Sequence, residues 1–142
     1  MPALFDLNML VALLDDQHVD NARAHEWFAE NRARGWASCP LTQNGFMRIL
    51  SQPSYAFPIP IGDAINHLRD ATASDDHVFW PNDISLLDEQ LIDHSRVLGP
   101  KQLTDIYLLA LAVKYGGRLV TFDRAIPMAA IRGARPEHLV VI

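Results

Sequence analysis

The fold is decided by residues 103–123, which read LTDIYLLALAVKYGGRLVTFD. Residues 103–115 carry apolar side chains nearly all round the middle of a helical projection, which predicts a central, buried helix. The pair Gly116 and Gly117 ends that helix, and the apolar run at residues 118–122 predicts a β-strand. A buried helix that leads into a short buried strand is typical of a parallel sheet covered by helices.

The same alternation continues outward in both directions along the chain. Short apolar runs predict strands at residues 3–5, 36–39, 77–80, 118–122 and 138–142. Helical spacing of apolar residues predicts helices at residues 9–14, 20–31, 41–50, 61–73, 85–94 and 103–115. The proline-rich stretch 52–60 predicts a loop between two helices. We therefore expect a three-layer α/β/α sandwich with a mostly parallel sheet.

Composition narrows the class of protein. A length of 142 residues, of which 49% are hydrophobic, predicts one globular domain over residues 1–142. Twelve basic against 17 acidic residues give a net charge of -5, which excludes a polybasic nucleic-acid binder and makes any such contact local. The single Cys39 excludes an intrachain disulfide, and an acid as early as Asp6 argues against a signal peptide. These features predict a cytoplasmic protein, without an apolar run of about 18 residues that could span a membrane.

Three aspartates that are distant in the sequence should meet in space. Asp6 follows the first predicted strand, Asp123 follows the fourth, and Asp105 lies in the first turn of the buried helix. Parallel strands end at one edge of their sheet, where the following helices begin and where ligands bind in open α/β folds. Each acid alone is equally well explained as a helix cap or a turn residue. Their coincidence at one edge predicts an acidic cluster there.

Clustered carboxylates repel one another and usually hold cations. A site of oxygen ligands, without thiolates or a histidine pair, favours Mg²⁺ or Mn²⁺ over zinc. Metal-assisted hydrolysis of phosphodiester bonds is the chemistry that such a site suits best. A phosphoaspartyl phosphatase is disfavoured, because it needs a second aspartate where Asn8 stands.

Four segments in order along nearly the whole chain resemble the motifs of PIN domains, and more narrowly those of VapC-type ribonuclease toxins. They are FDLN at residues 5–8, CPLTQNGFMRIL at 39–50, LTDIYLLALA at 103–112 and LVTFDR at 119–124. The resemblance implies an endoribonuclease dependent on Mg²⁺ or Mn²⁺ that cuts structured RNA of the tRNA or rRNA class and so inhibits translation. It also implies a homodimer and a cognate antitoxin, encoded beside the toxin, that holds the enzyme inactive.

The resemblance assigns roles to individual residues. Asp6, Asp105 and Asp123 match the acidic positions of the family and would bind the metal and activate water. Asn8 and Thr121 would orient these carboxylates. Two arginines, Arg48 and Arg124, are candidates for contact with RNA phosphates, and a structural salt bridge is an equal alternative for each.

Gln43 departs from the family pattern, in which a glutamate usually occupies this catalytic position. A neutral amide is a weaker Mg²⁺ ligand than a carboxylate, so full activity is in doubt. A weakened natural variant and an engineered substitution both remain open. A further alternative is a catalytically impaired PIN-like module that mainly binds an antitoxin or another protein.

Overall fold

The computed structural model describes residues 1–142 and contains five strands and five α-helices. The strands are β1 (Ala3–Phe5), β2 (Trp36–Ser38), β3 (His77–Phe79), β4 (Arg118–Thr121) and β5 (Leu139–Val141). The α-helices are α1 (Leu7–Leu14), α2 (Asn21–Asn31), α3 (Pro40–Leu50), α4 (Ile61–Thr72) and α5 (Leu103–Lys114). All five predicted strands are present, and five of the six predicted helices.

The strands form one sheet in the order β3-β2-β1-β4-β5, and every neighbouring pair is parallel. In register, Leu4 of the central strand lies beside Ala37 on one side and Leu119 on the other. The expectation of an α/β/α sandwich is confirmed, and the sheet is wholly parallel where a mostly parallel one was predicted. All five strands therefore end at the same edge, which we call the carboxyl edge.

Each face of the sheet carries its own apolar core. Leu4 and Leu119 pack with the buried side of α5 in one cluster, which confirms the prediction of a central buried helix. Phe5 and Trp36 stack with ring centroids 5.4 Å apart in the other cluster, against α1, α3 and α4. Each such side chain contributes about 1.5 to 3 kcal/mol when fully buried. The two cores hold the strand ends, and the residues that follow them, in place.

The predicted helix at residues 85–94 is wrong, since this segment is a series of turns. Its polar side chains bind the backbone locally: Ser85 Oγ accepts from the N–H of Leu87 at 3.1 Å, and Asp88 Oδ1 accepts from the N–H of Gln90 at 2.9 Å. Such bonds compete with the helical ladder. Leu87 is 86% exposed, whereas Leu91, four residues on, packs against the core, so these two leucines do not form one buried helical face.

The connection between α3 and α4 has no helix or strand, as predicted for residues 52–60. The α-helices contain at most 12 residues, and none of them has the length and apolar character needed to cross a bilayer.

Candidate active site

Asp6 is fixed at the carboxyl edge between β1 and α1. Its Oδ1 accepts the N–H of Met9 at 2.8 Å and so caps the amino terminus of α1. Its Oδ2 accepts the hydroxyl of Thr121 at 2.5 Å, from the end of the neighbouring strand β4. Asp6 is only 4% exposed. Both carboxylate oxygens are therefore held in one orientation by neighbours that belong to two different elements.

Burial raises the pKa of Asp6 to about 6, although the hydrogen bonds from Thr121 and Met9 act in the opposite direction. The negative charges of Asp105 and Asp123 raise this pKa further. The three carboxylates are thus close enough to repel one another electrostatically. None of them forms a salt bridge with a basic side chain. Their charge is left uncompensated by the protein.

Asp105 and Asp123 also lie at the carboxyl edge. Asp105 belongs to α5 and Asp123 follows β4, the two elements on either side of Gly116 and Gly117. Asp105 lies in the first turn of α5 and is half-buried, and its pKa is raised by burial and by the charge of Asp123. Asp123 is exposed; its N–H donates to Thr121 Oγ1 at 2.9 Å, and its Oδ1 accepts the N–H of Ala125 at 2.7 Å. Thr121 therefore contacts both Asp6 and the backbone of Asp123.

The donors at this edge fit a hard divalent cation in their chemistry, because all of them are carboxylate oxygens without a basic partner. Nowhere in the molecule do three or more histidine, cysteine, aspartate or glutamate side chains converge closely enough to hold one ion. Mg²⁺ is commonly bound by one or two carboxylates and several waters, so its binding does not need a tight three-carboxylate cluster.

Gln43 takes a different partner from the acidic residues. It lies in α3, and its Nε2 donates to Ser38 Oγ at 3.0 Å. Ser38 is the buried last residue of β2, and its hydroxyl also lies 2.8 Å from His77 Nε2. No hydrogen bond joins Gln43 to Asp6. The sequence did not predict Ser38 and His77 as neighbours of Gln43, although a serine within the predicted strand at residues 36–39 was a signal for a polar contact.

The remaining candidate residues are exposed. Asn8 lies in the first turn of α1, and no hydrogen bond joins its side chain to Asp6. Arg48 and Arg124 are also exposed, and neither forms a salt bridge. A structural salt bridge was the alternative to RNA contact for these two arginines, and the structure contains no such salt bridge for either of them.

Comparison with known proteins agrees with this arrangement. The family model described as PIN domain matches residues 3–132, which is most of the chain and includes all three aspartates. This chain belongs to the PIN-domain family. The match ends within the segment that leads to β5, so β1, α1, α5 and β4, the elements that position the three aspartates, lie inside it.

Curated relatives place this PIN domain among the VapC ribonucleases. It is 51% identical to Ribonuclease VapC44 of Mycobacterium tuberculosis strain H37Rv over 142 residues, which cover 100% of both chains. It is 43% identical to Ribonuclease VapC38 of the same strain, over 99% of each chain. A solved structure titled as VapBC2 from Rickettsia felis bound to a promoter DNA fragment matches with a TM-score of 0.61. That match covers 100% of this chain and 98% of the other at 12% identity, and it is a likeness of fold alone.

Proposed function

We propose that this PIN domain is a divalent-metal-dependent endoribonuclease, the toxin of a toxin–antitoxin pair, which inhibits translation by cutting RNA of the tRNA or rRNA class. The observation that carries the proposal is the uncompensated group of Asp6, Asp105 and Asp123 at the carboxyl edge of a PIN-type sheet. Names of the curated relatives, which are ribonucleases over the full length of the chain, support the same activity.

The three aspartates would hold the metal, Mg²⁺ or Mn²⁺, one or two of them directly and the rest through bound water, since the three do not converge closely enough to ligate one ion together. The three carboxylates differ in how freely they can move. Asp6 cannot turn away, because Met9 and Thr121 fix both of its oxygens. Asp123 has one oxygen engaged by Ala125, which leaves Oδ2 for a ligand. A divalent ion bound here supplies two effects, a lower pKa for the attacking water and neutralisation of charge on the phosphoryl oxygens.

Asp105 is the carboxylate best suited to accept a proton from water. It is half-buried, and no hydrogen bond engages its carboxylate oxygens, whereas hydrogen bonds engage oxygens of both Asp6 and Asp123. Thr121 acts as a positioning residue, since its hydroxyl bonds to Asp6 and accepts the N–H of Asp123. Asn8, which is exposed, would orient the carboxylates only through water or substrate.

RNA would reach this edge through local contacts, because the net charge of the chain is -5. Arg48 on α3 and Arg124, next to Asp123, are exposed and have no acidic partner in the protein. Each is therefore available to bind a phosphate of the substrate. We further propose that the active form is a homodimer.

Induction of the gene in cells, with and without the adjacent gene, tests the function directly. We expect growth arrest and new 5′ ends in tRNA or rRNA only when the adjacent gene is absent. Purified protein should cut the same RNA with Mg²⁺ or Mn²⁺ and not with EDTA. Cleavage at an equal rate in EDTA would contradict metal dependence, and unchanged RNA ends in arrested cells would contradict the proposed substrate.

The cognate antitoxin is expected to insert an arginine or lysine side chain among Asp6, Asp105 and Asp123. A cation there compensates the three negative charges and displaces the metal. In the copurified complex, hydrogen exchange should be slowed at residues 6–9, 103–106 and 121–125. Replacement of that antitoxin residue by glutamine should restore cleavage. Protection confined to the opposite edge of the sheet would contradict this route of inhibition.

The catalytically impaired binding module is the second candidate function, and Gln43 is the observation that favours it. Its amide is neutral, and it is bound to Ser38 instead of facing Asp6. A carboxylate at this position could not donate to Ser38. The hydroxyl of Ser38 would have to donate to it, so that His77 Nε2 would carry a hydrogen and donate to Ser38.

Replacement of Gln43 by glutamate is expected to raise both Mg²⁺ affinity and the cleavage rate about fivefold or more. A unit charge 4 Å from another is worth ~1 kcal/mol in water and ~4 kcal/mol at an effective dielectric constant near 20. Repulsion from the three aspartates offsets part of this gain. Calorimetric titration with Mg²⁺ and cleavage assays of Gln43→Glu measure the two effects. Gln17→Glu, in the turn that follows α1, adds the same charge away from this edge.

Equal affinity and equal rate in Gln43→Glu and the original protein would show that residue 43 does not face the metal. Its amide would then serve only to hold the start of α3 against Ser38. Failure of both proteins to cut any RNA with Mg²⁺ or Mn²⁺ would favour the binding module.

A further inference from the structure

A hollow of about 330 Å³ lies at the start of α5, beside the proposed metal site. Thr104 lines it and is followed directly by Asp105, so the Cα atoms of these two residues lie about 3.8 Å apart. Leu41 lines it from the first turn of α3, the helix that also carries Gln43. The six lining residues are Leu41, Asn82, Leu86, Leu103, Thr104 and Tyr107. The hollow therefore belongs to the carboxyl edge, at which the three aspartates lie.

The lining of this hollow is uncharged. Four of its six residues are leucine or tyrosine, and the other two carry an amide and a hydroxyl group. Burial raises the pKa of Tyr107, so its hydroxyl stays neutral at physiological pH. Asp83, which follows Asn82, has its charge compensated by Lys114, whose Nζ lies 2.9 Å from its Oδ2. The hollow therefore suits a neutral group, in contrast to the carboxylates beside it.

Two polar side chains at the hollow are free to bind a ligand. Asn82 and Thr104 are exposed, and neither side chain forms a hydrogen bond within the protein. An asparagine amide offers a donor and an acceptor side by side, an arrangement that matches the edge of a nucleobase. Tyr107 supplies an aromatic ring and also packs against the apolar core, which holds it in place. Unpaired RNA bases stack on such rings and form hydrogen bonds through their edges.

We propose that this hollow binds one unpaired nucleobase of the RNA, next to the phosphate that is cut. The proposal rests on the proposed ribonuclease activity and adds a base preference to it. A nucleotide joins a neutral, flat base to a charged phosphate, and this edge joins a neutral hollow to carboxylates that would hold a metal for that phosphate. Ligand pockets usually measure about 300 to 1,000 Å³, so a hollow of about 330 Å³ suits a single base. We therefore expect cleavage in a loop or a single strand, where a base can leave its stack.

A second copy of the chain is the alternative occupant of the hollow. Leu41 is 37% exposed and Leu103 is 41% exposed, which would suit an interface between two copies. Such an interface would have to supply partners for the side chains of Asn82 and Thr104, because a polar group buried without a partner is costly. A base supplies these partners through its own edge. The lining therefore favours the base.

Binding is tested in EDTA, in the absence of metal, by NMR titration of the ¹⁵N-labelled protein with hexaadenylate, hexacytidylate and hexauridylate RNA. We expect at least one of them to shift the side-chain amide signals of Asn82 and the backbone signals of residues 103–107. Asn82→Ala should raise the dissociation constant about three- to tenfold. Gln90→Ala removes another exposed amide from the connection between β3 and α5 and should leave the constant unchanged.

The aromatic ring is tested with a pair of variants at Tyr107. Tyr107→Leu removes the ring and should weaken binding of the same hexanucleotide about tenfold, whereas Tyr107→Phe keeps the ring and should retain binding. Single abasic nucleotides are then introduced in turn at the positions that flank the mapped cut in the substrate RNA. We expect one position at which loss of the base lowers kcat/KM about tenfold in the original protein and less than about twofold in Tyr107→Leu, since the stacking partner is already absent there.

Failure of the nuclease activity and failure of the base site give different results. Shifts at the hollow without any cleavage in Mg²⁺ or Mn²⁺ would contradict the nuclease activity and support the base site. Cleavage together with shifts confined to other residues, or equal losses in Asn82→Ala and Gln90→Ala, would overturn the base site. Conversion of a dimer to a monomer by Leu103→Asn, with RNA binding unchanged, would assign the hollow to a second copy and would also overturn it.

Discussion

Replacement of Asp105 by asparagine is expected to lower metal-dependent RNA cleavage by at least about a hundredfold while leaving the fold intact. The substitution removes one negative charge from a site that has no compensating base. Charge stabilisation by a bound metal is worth several kcal/mol in the transition state, and each 1.36 kcal/mol changes a rate about tenfold. Asp105 is also the proposed proton acceptor, so its loss removes two contributions at once.

Asp6→Asn and Asp123→Asn should lose activity to a similar extent, since each removes a candidate metal ligand. Asp63→Asn is a matched control, because Asp63 lies in the first turn of α4 as Asp105 lies in the first turn of α5. Cleavage of a labelled RNA at several Mg²⁺ concentrations, with circular dichroism of each variant, measures the effect. Full cleavage by Asp105→Asn would remove this carboxylate from the mechanism. A loss in Asp63→Asn as large as in Asp105→Asn would point to general destabilisation.

The position of the three aspartates at the carboxyl edge could be predicted from the direction of the strands alone. Asp6 comes directly after β1, and Asp123 comes two residues after the end of β4, its parallel neighbour. Asp105 lies in the first turn of α5, the helix that precedes β4. The direction of a strand determines where the chain continues, so Asp105 and Asp123, which lie 99 and 117 positions from Asp6, could be placed at the same edge as Asp6. The position of Thr121 follows from the same rule. Thr121 is the last residue of β4, and its hydroxyl therefore lies beside Asp6.

Side-chain directions could not be obtained in this way. The side chain of Gln43 bonds to Ser38 and not to a carboxylate, and its direction depends on the packing between α3 and the sheet. Asn8 occupies a position that strand direction places at the edge, yet its side chain is exposed. A periodic pattern describes which face of an element is buried, and it contains no information on such local choices.

The segment at residues 85–94 shows a second limit of periodicity. Leu87 and Leu91 have helical spacing, but Ser85 and Asp88 bind the backbone N–H groups two residues ahead of them. Ile92 then forms an antiparallel bridge with Ile131, a contact 39 positions away in the chain. Local polar side chains and one distant partner outweigh a weak apolar repeat.

Asp6→Asn is expected to stabilise the metal-free protein near neutral pH. A raised pKa means that the native state binds more protons than the unfolded state between about pH 4 and pH 6. The free energy of unfolding therefore falls as pH rises through this window and is not recovered above it. A shift from 3.8 to about 6 corresponds to about 3 kcal/mol, without a discount for solvent because Asp6 is buried. Asparagine does not ionise, so the variant escapes this loss.

The substitution preserves the local structure that Asp6 supports. Asparagine is as good a helix cap as aspartate, so its oxygen can still accept the N–H of Met9. Its amide can donate to the hydroxyl of Thr121, which reverses that hydrogen bond without opening a cavity. At pH 4 the wild-type carboxyl group is mostly protonated and close to an amide in shape. The two proteins should then have nearly equal stability.

Urea unfolding in EDTA from pH 4 to pH 7.5 measures the difference between Asp6→Asn and the wild type. The curves should separate steadily as pH rises, and Glu26→Gln, which removes an exposed acid from α2, should follow the wild type. Mg²⁺ at millimolar concentration should restore much of the wild-type stability at pH 7.5, because an ion that binds only the native state stabilises it. It should have little effect on the variant, which lacks a ligand charge. Parallel curves for the two proteins in EDTA would mean that Asp6 ionises at little cost, and that the cluster of carboxylates is compensated in solution by some other group.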